Sequence, residues 1–137
     1  MSRTRLLPAT EPGTDWGVSH CPAVNVQATI TRAAAAPDGS RLVSNVLTGL
    51  TVMLVAGSTA PSAATVTVAV IDGASGGSSY VWGPARLAIP GVAGASTGIV
   101  RNGLFLVGTP GRAMTIEFSG AAGGFTFESV EMSGTTL

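Results

Sequence analysis

The segment VNVQATIT, residues 24–31, alternates without a break. Val24, Val26, Ala28 and Ile30 fall on one side of an extended chain, and Asn25, Gln27, Thr29 and Thr31 fall on the other. Successive side chains of a strand point to opposite faces, so this is a strand with one face in a core and one toward water. The same period of two returns along the chain, whereas no sustained helical period does. It aligns Val66, Val68 and Val70 within residues 65–72, and Met114, Ile116 and Phe118 in RAMTIEFSG. Strands that bury one face need a second sheet to bury it against, which restricts the chain to an all-β architecture.

The punctuation between the runs agrees. AAAAPDGS at 33–40 is stopped within a turn by Pro37 and Asp38-Gly39 and reads as a loop. The long run at 41–57 is a strand to about residue 55, with Gly49 marking a bulge or bend at 48–49. In residues 65–72, Ala69 and Ile71 lie opposite the valines, so that strand is expected to be covered on both faces. The run at 79–90 is broken by Gly83-Pro84; proline lacks the ladder donor, which points to an edge strand or a bulge. Residues 97–108 form a strand kinked at Asn102-Gly103. In the last strand the alternation slips near Ser129: Phe125 and Phe127 share one face, Val130 and Met132 the other. A bulge or a change of partner sheet explains such a slip. The expectation is a β-sandwich or jelly roll of about seven or eight antiparallel strands. Residues 24–137 make the sandwich domain and residues 1–23 an extended N-terminal arm. The arm holds Pro8, Pro12, Gly13, Gly17 and Pro22 without a regular period, yet also Leu6, Leu7 and Trp16, which a purely solvated tail would not need.

Charge narrows the function. Charged residues are 10% of the 137, all seven cations are Arg, and the formal net charge is zero. Soluble domains carry about 25% charge, and a neutral, charge-poor surface suits a subunit covered by neighbours better than a free monomer. There is no basic excess to grip nucleic acid. The longest apolar run, LTVMLVAG at 50–57, is too short to span a membrane as a helix. The apolar stretch after Arg5 ends at Pro8, too short for a signal peptide, and the single Cys21 forms no internal disulfide. Both features lead to an expectation of a cytosolic, reducing compartment.

Candidate chemistry is thin. DGASGGSS at 72–79 follows a strand as a phosphate loop would, but no Lys follows its glycines and the next segment reads as strand rather than helix. It reads instead as a connection between two antiparallel strands. His20-Cys21 is the sole His and the sole Cys, too few for a zinc site within one chain. Glu117 and Glu128 would be near neighbours if the last two strands pair, but a glycosidase cleft needs more aromatic lining than two Trp, one Tyr and four Phe supply. Tyr80 and Trp82, at i and i+2, are expected on one face, where they would pack or form a sugar-stacking platform. No catalytic, cofactor or metal residues are expected, and the chain does not read as an enzyme. Trp16 is suited to anchor in a partner's pocket.

The stretch TVTVAVIDGASGGSSYVWGPARLAIPGVAG, followed by TPGRAMTIEFSGAAGGFTFESVEMSG, covers residues 65–134. A strand ending in DGASGG, a Trp shortly after, LAIP before a small-residue turn, and TIEFSGAAGG before a strand ending in Ser-Gly resemble small virion proteins of tailed bacteriophages and prophages. The resemblance implies a structural part of the particle located in the virion: a head decoration (cement) protein, or a tail, neck or fibre component. It implies no active-site residue. A decoration protein would be a homo-oligomer, with a trimer favoured, bound to the major capsid protein or another virion protein. Its arm would make much of the contact through Arg3, Arg5, Leu6, Leu7 and Trp16. A carbohydrate-binding sandwich using Tyr80 and Trp82 is the alternative from a different class.

Overall fold

A computed structural model describes residues 14–20, 29–56, 64–89, 92–119 and 125–137. Among them are nine strands and no helix: β1 (Trp16–His20), β2 (Thr29–Arg32), β3 (Asn45–Ala56), β4 (Ala64–Asp72), β5 (Tyr80–Ile89), β6 (Ser96–Arg101), β7 (Leu106–Val107), β8 (Met114–Ser119) and β9 (Phe125–Thr136). The strands form two antiparallel sheets. One has the order β1-β9-β3-β6, with β7 also on β3; the other has the order β2-β8-β4-β5. The pairing is nested: β1 pairs with β9, β2 with β8, β3 with β6 and β7, and β4 with β5.

The alternating valines and leucines meet between the sheets. Leu47, Leu50, Val52 and Leu54 of β3, with Ile99, Val130 and Met132, face Val66, Val68 and Val70 of β4, with Leu87, Met114, Ile116 and Phe118. Burying each such side chain is worth about 1.5–3 kcal/mol relative to leaving it exposed, and this layer holds the sandwich together. Ala69 and Ile71, on the other face of β4, are also buried, which agrees with a strand covered on both sides.

The irregularities fall where the sequence places them. The β3–β9 register shifts between Leu47 and Gly49, and again where Met53 and Leu54 face Ser129 and Phe127, leaving Glu128 as the extra residue of a bulge. The slip of alternation near Ser129 is that bulge. Strand β5 is the edge of its sheet and shifts register twice against β4. Gly83 has φ 84°, a conformation that glycine adopts without strain, and an added Cβ would lie 2.9 Å from the Val68 carbonyl oxygen.

Two expectations on organisation are corrected. Residues 97–108 do not form one kinked strand: the chain leaves β3 after Arg101 and rejoins it at Leu106, giving β6 and β7. The arm assigned to residues 1–23 contains β1, which runs antiparallel to β9 from Trp16 opposite Gly134 to His20 opposite Val130. The glycine and proline content hid a short strand held by its partner and by the inward side chains of Trp16 and Val18.

Candidate functional site

The loop 73–79 joins β4 to β5 as an antiparallel connection, with Asp72 N–H donating to the Ser79 carbonyl at 2.8 Å. It curls back over the outer face of the second sheet. Gly77 lies against Ile71, where an added Cβ would stand 2.9 Å from Cγ2. Glu117 projects from β8 on that same outer face, because its neighbours Ile116 and Phe118 point into the core. Its carboxylate accepts the Ser75 hydroxyl and the Gly76 N–H, the latter at 3.2 and 3.3 Å. The glycine-rich loop therefore does hold an anion, but the anion is the chain's own. The Gly76 N–H that a phosphate would use is already engaged by Glu117.

The rest of this end of the sandwich is tied together in the same way. Asp72 accepts the Thr109 N–H at 2.9 Å and the Thr109 hydroxyl at 2.6 Å, fastening the β7–β8 turn to the end of β4. The Thr115 hydroxyl donates to the Gly73 carbonyl at 2.9 Å and lies 3.1 Å from the Thr31 hydroxyl. Asn45, 1% exposed, donates through Nδ2 to the Ala33 carbonyl at 3.0 Å and to the Arg112 carbonyl at 3.4 Å, joining two loops to the first residue of β3. Asn45 gave no signal in the sequence, where an Asn at the start of a strand reads as an exposed residue.

Trp16, expected as a partner anchor, lies instead in the domain's own core at 8% exposure. Its Nε1–H donates to the Thr135 carbonyl at 2.8 Å, and the Arg32 Cζ lies over its ring, 5.4 Å from the centroid. The indole fits because residue 134 is glycine: a Cβ there would stand 2.5 Å from Cζ2 of Trp16. Arg3, Arg5, Leu6, Leu7 and Cys21 lie outside the described residues, as does the side chain of His20.

Two further pairings fail for topological reasons. Strands β8 and β9 belong to different sheets, so Glu117 and Glu128 are not ladder neighbours. Tyr80 is opposite Ile71 while Trp82 is opposite Val70, so the β5 bulge puts them on opposite faces. Trp82 packs toward the core and Tyr80 is exposed, and no two-ring platform forms. Among the described residues no group of three or more His, Cys, Asp or Glu side chains is placed to hold a metal ion, and no helix is long and apolar enough to cross a membrane.

The outer face of the β6–β7 edge is apolar. Ile99, Leu104 and Leu106 turn inward, which leaves Val100, Phe105 and Val107 outward at 49%, 62% and 47% exposure. The chain matches no protein-family model, no curated protein and no solved structure.

Proposed function

We propose that the chain is a structural subunit of a bacteriophage virion, and specifically a decoration protein that binds the outside of the head shell as a homo-oligomer. The observation that carries this reading is its surface: a neutral sandwich with 10% charged residues and an outward apolar edge at Val100, Phe105 and Val107. At the loop end, Asp72 and Glu117 are turned onto the chain's own donors, so few charges there remain for a soluble ligand. The two antiparallel sheets with nested pairing support the reading, since they are compatible with a jelly roll, an architecture found in viral capsid domains. The virion-like stretch at residues 65–134 supports it from the sequence side.

Stabilisation of the shell would follow from linkage: a ligand of the assembled shell that ignores dissociated subunits shifts the equilibrium toward the shell. The test is co-sedimentation of the purified chain with shells that lack it. Association at micromolar concentration is the expected result, and its absence overturns the proposal. Densitometry of intact particles separates head from tail, because a decoration protein is present in hundreds of copies and a tail or neck ring in about a dozen.

A further inference from the structure

We propose that the cavity beside Trp16 is a carboxylate-binding site. It has a volume of about 400 Å³ and lies among Thr14, Arg32, Asp38, Arg41, Val43 and Thr136. Arg32 is the fixed group. Its Cζ lies over the Trp16 ring, 5.4 Å from the ring centroid, and its Nε donates to Asn45 Oδ1 at 3.4 Å. Trp16 and Asn45 are both buried, so two packed groups hold the guanidinium. Among the described residues the two terminal nitrogens take no hydrogen bond or ion pair, and they form a planar fork. Such a fork matches the two oxygens of a carboxylate.

Charge selects the ligand further. Arg41 is paired with Asp38 across 4.0 Å on the rim, so Arg32, Arg41 and Asp38 together leave one positive charge. A monoanionic carboxylate balances it, whereas a dianionic phosphate would be in excess and would face the Asp38 carboxylate. Val43 and Ala35, both buried, supply an apolar wall for the methylenes that carry an acid group. The volume is near the low end of the usual range for small-ligand pockets, about 300–1,000 Å³, and suits one acidic side chain or a small monocarboxylate. The site rests on this geometry alone; only its use as a socket for an acidic residue of the shell rests on the virion reading.

The test is an NMR titration of the full chain, following the Trp16 Nε1–H and Arg32 Nε–H resonances. The probes are acetyl-Gly-Glu-Gly-amide, its Gln counterpart, butyrate and inorganic phosphate. Saturable shifts with the Glu peptide or butyrate are expected, weakened severalfold by the exposed Arg41→Gln change and about tenfold or more by Arg32→Lys, which keeps charge but loses the fork. Tighter binding of the peptide assigns a protein side chain as ligand, and tighter binding of butyrate assigns a small acid. The proposal is overturned by the absence of saturation below about 50 mM, by equal binding of the Gln peptide, or by tighter binding of phosphate. Arg41→Gln leaves the buried groups untouched, so the test does not depend on Arg32→Lys folding. A chain that binds the Glu peptide but not shells keeps this site and overturns the virion reading.

Discussion

At the scale of single residues, two positions join the sheets to their loops. Gly134 makes room for the Trp16 ring, and a methyl group there would also press on the Val46 carbonyl oxygen. Neither neighbour yields easily: one is backbone and the other a buried indole held by a hydrogen bond to Thr135. Gly134→Ala is therefore expected to destabilise the fold by about 1–3 kcal/mol, the range for overpacking, as read by urea denaturation. Asn45 acts through polarity. It links the loop after β2 and the loop before β8 to β3, and Asn45→Leu would strand the Ala33 and Arg112 carbonyls without their donor. The expected loss is about 1–3 kcal/mol, with Asn45→Asp no better, because a carboxylate accepts and cannot donate to carbonyls. Recovery of wild-type stability by either variant would remove Asn45 from this role.

At the scale of elements, the β4–β5 loop shows how a glycine-rich stretch becomes a lid on its own sheet. Glu117 holds it through Ser75 and Gly76. In Glu117→Gln the side chain keeps one carbonyl acceptor but loses the charge, so faster amide exchange at Gly76 is expected, with global stability lowered by about 1 kcal/mol or less. Exchange unchanged at Gly76 would show that the loop is held by its backbone alone. The strands of this fold were legible because β4 and β8 alternate over a full core-facing run, and Gly49, Gly83-Pro84 and Ser129 announced real breaks. What was not legible depends on partners far along the chain. Strand β1 does alternate, with Trp16 and Val18 toward the core, but its five residues are too short a run to declare a period of two, and it pairs with β9. The carboxylate socket needs Arg32, Asn45 and Trp16 brought together from three strands. Tyr80 and Trp82 are expected on one face only because the bulge between them leaves no mark in a period of two.

At the scale of the molecule, the nested pairing dictates how the chain must close. Strands β4 and β5 are adjacent in sequence and joined by a short loop, whereas the outermost ladder sets Trp16 opposite Gly134, bringing together segments from near the two ends of the chain. Each outer pair closes a longer loop than the one inside it, and the entropy of that closure is lost before its contacts form. Order of closure from the inside outward avoids meeting the largest loss first. This leads to refolding in milliseconds to seconds, the range of sandwiches dominated by distant contacts. It also separates two substitutions. Val70→Ala, in the inner pair, is expected to slow folding, because its contacts are already present in the transition state. Val18→Ala, in β1, is expected to leave the folding rate nearly unchanged and to speed unfolding. Stopped-flow chevrons of the two variants measure both effects. The reverse assignment, with Val18→Ala slowing folding, would mean that the β1–β9 ladder forms early and that the sandwich closes from its outermost pair.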